Sequence, residues 1–191
     1  MDGVFMKRVL LLLMIVAFAW LGTVIADRET LSRELISVQI LSDTDDQQAQ
    51  RQKLEVRDVV MKYLEADMAD IPDNSEARQY LLTKLSGIDG IADSLLKKSG
   101  SRLGTRVSLT QEAFPEHKSG QYFIPSGVYD TLRIVIGKGQ GENSWEVVFP
   151  NLSGRGSFSR ELKTALSGNG ELLRYHILNA LGHIENFLFS Q

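Results

Sequence analysis

A chain of 191 residues, 43% of them hydrophobic, buries one ordinary core and leaves too little for a second independent domain. Its 21 basic and 24 acidic residues give a net charge of −3, which offers no cationic field to nucleic acid. The absence of cysteine excludes thiol catalysis, a thiolate metal site and a disulfide framework.

Lys7 and Arg8 stand ahead of an uncharged apolar stretch, residues 9–26. This is the pattern of an export signal, with Val24 and Ala26 as the small residues before a cut that starts the mature chain at Asp27. The alternative is an uncleaved anchor, because the stretch approaches the roughly 20 residues that cross a bilayer. Cleavage is the preferred reading, and residues 9–26 contact a membrane if it does not occur. Either way the remainder is exported, with the basic end inside. Without Asp2, Lys7 and Arg8 the exported part holds 23 acids against 19 bases, a charge of −4.

Residues 34–41, "ELISVQIL", are short and β-branched and end in a polar run, which predicts a first strand. Val56, Val59, Val60, Tyr63 and Leu64 then recur at steps of three and four, predicting a helix over residues 45–68 capped by Thr44 or Asp43. A second helical stretch starts at Pro72 and the Asp73, Asn74, Ser75 cluster and stops at Gly100. Gly87 and Gly90 inside it cost about 1 kcal/mol each relative to alanine, so a break or kink is expected there. "TRVSLT" alternates, "QYFI" is a short apolar run and "PSG" is a turn. Residues 129–136 and 145–149 read as two strands of a hairpin around a glycine-rich tip, and residues 153–159 as a surface loop. The last stretch is a helix with Leu173, Ile177, Ala180, Leu181, Ile184 and Leu188 on one side.

Little in these elements points to chemistry. The glycines of "GKGQGEN" are followed by a strand, whereas a phosphate grip needs the N-terminus of a helix there. They are read as turn residues that supply positive φ and a bulge. Asp43, Asp45 and Asp46 lack the glycine and glutamate of an EF-hand loop and are read as a helix cap with solvated neighbours. His176 and His183 share a helix face but lie about 10 Å apart, too far for one metal ion, and His117 falls in a loop. Ser126 lacks the elbow of a hydrolase nucleophile. Arg133 interrupts an apolar strand and requires an ion pair, with Glu146 or Asp130 as partner, or a contact with another protein.

Two stretches carry a resemblance. "ILSDTDDQQAQRQKLEVRD" (residues 40–58) and "IPSGVYDTLRIVIGKGQGENSW" (residues 124–145), continued by "VVFP", resemble the stage II sporulation protein R family of endospore-forming bacteria. The resemblance covers residues 33–152. Ser42 and Asp43 stand where the family pattern has Ala-Asn, and Glu146 and Ser153 stand at two positions where it has cysteines, which fits a dispensable disulfide. Residues 154–191 fall outside it.

The resemblance implies a signal and no catalyst: a protein made in the forespore and exported into the space between the two sporulation membranes. There it triggers a membrane-embedded aspartic protease of the mother cell, which processes a pro-sigma factor. The expected fold is α+β, a small, mainly antiparallel sheet with helices packed on one face. Residues 1–26 form the signal or anchor, 27–152 the signalling domain and 153–191 the loop and C-terminal helix. No enzyme activity, cofactor, metal or nucleic acid is expected. Arg133, Asn143 and Trp145 are the candidate contacts with the protease, because arginine and tryptophan favour interface centres. The rival readings are an exported hydrolase acting on the cell envelope and a structural envelope protein.

Overall fold

The computed structural model describes residues 3–68, 71, 73–119, 122–124, 126–149 and 172–190. Helix α1 (Gly3–Glu34) leads through Leu35 into β1 (Ile36–Leu41). Then come α2 (Gln47–Met68), α3 (Asn74–Lys98), β2 (Thr105–Phe114), β3 (His117–Ser119), β4 (Tyr122–Ile124), β5 (Gly127–Ile136), β6 (Asn143–Phe149) and a final helix, α4 (Leu172–Phe189). The fold is α+β, as expected from the sequence.

The first strand holds the middle of the sheet. The order is β2-β5-β1-β6, with β1 parallel to β5 and antiparallel to β6, and β2 antiparallel to β5. A parallel pair requires a crossover, which the segment from α2 through β2 supplies. The expected hairpin of residues 129–149 is therefore not formed: β5 and β6 flank β1, and the glycine segment passes over the end of β1. Centrality explains the composition of β1, an uncharged strand whose residues from Ile36 to Ile40 are all buried.

Alternation divides the sheet into two unlike faces. Ile36, Val38 and Ile40 of β1 join Leu132, Ile134 and Ile136 of β5 in the core, under Val56, Val60 and Leu64 of α2 and Leu81, Ile88 and Leu96 of α3. On the opposite face the same strands carry Ser37, Gln39, Thr131 and Arg133, and the buried Ser37 and Thr131 hydroxyls hydrogen-bond at 2.9 Å.

Two helix details differ from the sequence reading. The cap of α2 is Asp46, whose Oδ1 accepts from the Gln48 and Ala49 amides at 2.8 and 2.9 Å, and not Thr44 or Asp43. The Thr44 hydroxyl donates to Asp46 Oδ2 at 2.5 Å. That bond, with the two amides, holds the Asp46 carboxyl below its usual range. Helix α3, capped by Asp73 as its start signal suggested, runs unbroken through Gly87 and Gly90. At Gly87 the missing Cβ admits the Tyr63 hydroxyl of α2, which a methyl group would meet at 2.9 Å, so that glycine serves helix packing.

The two helices are also tied by a polar cluster. The Tyr80 hydroxyl donates to Asp67, and Lys84 Nζ lies 3.5 Å from the same carboxylate and 5.0 Å from the Tyr80 ring centre. Burial and then the Asp67 bond raise the Tyr80 pKa, while the bond from Tyr80 lowers that of Asp67.

Within α1, residues Phe5–Gly22 are long and apolar enough to cross a membrane, by length and composition. The helix meets β5 and α4. β3 and β4 form a separate two-stranded sheet, which puts His117 on a strand instead of in a loop. The loop expected at residues 153–159 lies outside the described residues.

Candidate functional site

The two motif stretches, distant in sequence, meet at one end of the sheet. Because β1 lies between β5 and β6, residues 137–142 must cross over the point where β1 ends, and there they rest on residues 42–46. Backbone amides of the crossing donate to two carboxylates and one backbone carbonyl of that loop. Asp43 Oδ1 accepts from the Lys138 amide at 2.6 Å, Asp45 Oδ1 accepts from the Glu142 amide, and the Gly141 amide donates to the Ser42 carbonyl at 2.9 Å. Lys53, 4% exposed on α2, closes the junction by donating to the Glu142 carbonyl at 2.9 Å.

The glycines are set by this approach. Gly137 and Gly139 have φ of 62° and 67°, the left-handed region that other residues occupy at a cost. A Cβ on Gly137 would lie 2.5 Å from Asp43 Oδ1, and one on Gly141 would strike Ser42 Oγ and lie 2.5 Å from the Thr44 carbonyl oxygen. The positive φ read from the sequence is present; what required it is a crossing over β1. Asp43, read as a cap candidate, and Asp45, read as a solvated neighbour of the cap, are the acceptors that hold the crossing down.

The three candidate contact residues fall near this junction. Arg133 pairs across the sheet with Ser108 and with Gln39, and Gln39 pairs in turn with Trp145, so Ser108, Arg133, Gln39 and Trp145 form one row across all four strands. Two strand spacings separate Arg133 from Trp145, about 10 Å. Asn143 is exposed and pairs with Leu41, two residues nearer the glycine crossing.

Arg133 has a different partner from the two expected. Its Nη1 lies 3.1 Å from Glu112 Oε1, on β2. Asp130, three residues away on a strand, belongs to the other face, where Arg78 of α3 lies 3.6 Å from it. Beside the Arg133 pair, Gln39 Oε1 and Arg133 Nε are both shielded from solvent and make no hydrogen bond among the described residues. Sequence reasoning missed Gln39, whose only signal is a long polar side chain in an otherwise mostly apolar central strand.

Other polar groups are engaged structurally. Ser126 is buried, and its Oγ bonds to the carbonyl and Oδ1 of Asn179 at 2.7 and 2.8 Å, so it anchors α4. His183 is exposed. Asp93 accepts from the Thr105 amide at 2.8 Å, which lowers its pKa and fixes the start of β2 to α3. Among the described residues no three histidine, aspartate or glutamate side chains are grouped to hold a metal ion.

Fold and motifs define a small α+β domain behind an apolar N-terminal helix, with its two signature stretches built into one junction. The model of the family described as stage II sporulation protein R matches residues 32–156, and the chain belongs to that family. Over 119 residues it is 34% identical to stage II sporulation protein R of Bacillus subtilis (strain 168), an alignment covering 62% of this chain and 53% of the relative. The chain thus spans about half the length of the curated relative it matches. No solved structure matches. The matched segment takes in every strand of the four-stranded sheet; α4 lies beyond it.

Proposed function

We propose that this protein is an exported sporulation signal that binds the extracytoplasmic part of a membrane-embedded aspartic protease and shifts it to an active state, so that the protease processes a mother-cell pro-sigma factor. The observation that carries this reading is the family match across the whole sheet, including both motif stretches. An N-terminal helix suited to export or anchoring agrees with action in the space between the two sporulation membranes. The binding surface is the polar sheet face at Arg133, Asn143 and Trp145.

Activation requires only that the protein bind the active form more tightly than the inactive one. Moving an equilibrium from about 1:99 to 99:1 takes about 5.5 kcal/mol of differential binding, which two or three hot-spot residues at about 2 kcal/mol or more each supply. On that face the Arg133 side chain is 39% exposed and Asn143 is exposed, so both are open to a partner.

The test is co-expression of the full chain with the protease and the sigma-factor precursor in a non-sporulating host, scored by the precursor's shift on a gel. Cleavage that depends on this protein is the expected result. An untouched precursor, with the protein exported and folded, overturns the reading in favour of a hydrolase or a structural envelope protein.

A further inference from the structure

Helix α4 packs with its polar side inward. Asn179 accepts from the Ser126 amide at 3.0 Å, Glu185 Oε2 accepts from the Val128 amide at 3.2 Å, and Asn186 Nδ2 donates to the Phe114 carbonyl at 2.6 Å. Between them Gly182 is buried so closely on Ser126 that any Cβ would collide with its carbonyl group. The apolar side faces out: Ile184, Phe187, Leu188 and Phe189 are 58, 64, 66 and 51% exposed. An amphipathic helix on a water-soluble domain has the opposite arrangement.

The exposed apolar surface has a definite distribution. Among the described residues, apart from the separate Leu54, Tyr63 and Leu82, every large exposed apolar side chain lies on residues 5–18 of α1 or on these last two turns of α4. The two helices touch each other. From His183 to Ser190 the only formally charged side chain is Glu185, and it is turned inward to the Val128 amide. An uncharged aromatic and aliphatic surface beside a helix able to cross a membrane fits the boundary between headgroups and acyl chains.

We infer that the last two turns of α4, through Ile184, Phe187, Leu188 and Phe189, lie in the interface of the bilayer that receives α1. The domain is then held to that membrane at two points. This rests on α1 staying attached to the domain as an uncleaved anchor in the bilayer, and is independent of protease activation.

The natural absence of cysteine allows single labelling sites. Full-length chains carrying Leu188→Cys, Val16→Cys or Lys97→Cys are labelled with an environment-sensitive fluorophore and reconstituted into vesicles of phosphatidylethanolamine and phosphatidylglycerol. Val16 is on the apolar part of α1, and Lys97 is 72% exposed on α3. The expected result is that brominated lipid quenches the labels at 188 and 16, while aqueous iodide quenches the label at 97. The inference is overturned if the label at 188 follows the one at 97. It is equally overturned if that label is shielded from both quenchers, which means that protein such as a second copy covers the surface. A label at 16 that brominated lipid does not reach removes the membrane itself.

Discussion

The amide of Lys138 donates a 2.6 Å hydrogen bond to Asp43 Oδ1, joining the glycine crossing to the loop that follows β1. This contact makes the glycine segment part of the fold, and its loss should be felt in global stability. Asp43→Ala is expected to cost about 1–2 kcal/mol, the value of a charge-assisted bond at a partly exposed site. Gly137→Ala adds a left-handed alanine, at about 1–2 kcal/mol, to a clash with Asp43. Urea unfolding followed by circular dichroism measures both, and unchanged midpoints would show that the crossing is not held this way.

The two glycines of α3 should respond differently to alanine. A Cβ at Gly90 meets nothing within 4 Å, so Gly90→Ala should stabilise by up to about 1 kcal/mol through helix propensity. Gly87→Ala gains the same propensity but pushes the Tyr63 hydroxyl away, so its midpoint should fall below that of Gly90→Ala. Equal midpoints would mean that Tyr63 moves at no cost.

Stability should fall on both sides of a neutral plateau. The folded-state pKa values of Asp67 and Asp93 are depressed by bonds from Tyr80 and from the Thr105 amide. Their contribution is therefore present above the unfolded value, about 3.9, and is lost as pH falls through the lower folded value. Tyr80 and Lys84 are raised, Tyr80 first by burial and Lys84 first by its bond with Tyr80. Their contribution is present below about pH 10 and is lost as pH rises through the folded values. Asp93→Asn should flatten the acid limb and leave the alkaline one, whereas Tyr80→Phe, which also removes the bond that depresses Asp67, should flatten the alkaline limb and part of the acid one. A titration in which Asp93→Asn keeps the wild-type acid limb counts against the Thr105 contact as its source.

Arg133→Ala is the variant that would separate the proposed binding role from folding. The ion pair with Glu112 is partly exposed on both sides, at 39 and 23%, so its loss should cost no more than about 1 kcal/mol. The folded protein should nevertheless fail to support precursor cleavage, and Asn143→Ala should weaken it. Wild-type activation by both variants would remove this face as the binding surface.

Much of the fold could be read in advance because its signals are local. The stripe of Val56, Val60 and Leu64 marks the buried side of α2, and the Asp73 cluster marks the start of α3. The strand order could not be read so directly. Two strands joined by a short glycine segment look like a hairpin whether or not a third strand lies between them. The available hint was β1, whose lack of charge suits burial on both faces. The sequence pointed to Thr44 or Asp43 as the cap of α2, but the crossing claims Asp43 and Asp45 and leaves Asp46 to cap the helix. On α4 periodicity located the apolar side, but Gly182 and two asparagines decide which side docks. For the candidate site, Arg133 stood out as a charge in a strand, while its partner depended on which strand lies beside β5.

The central position of β1 also bears on how the chain acquires its structure. A polypeptide emerging from its N-terminus presents β1 long before either neighbour, since its partners are residues 130–135 and 143–149. Until those residues appear, the strand has two open edges and an apolar face that only α2 and α3 can shelter. The helical pair can form early from local contacts, whereas the sheet closes only after a long loop search that slows folding. A carrier that keeps the chain extended until β6 has emerged would suit this topology, and truncation before residue 149 should abolish the fold instead of trimming it.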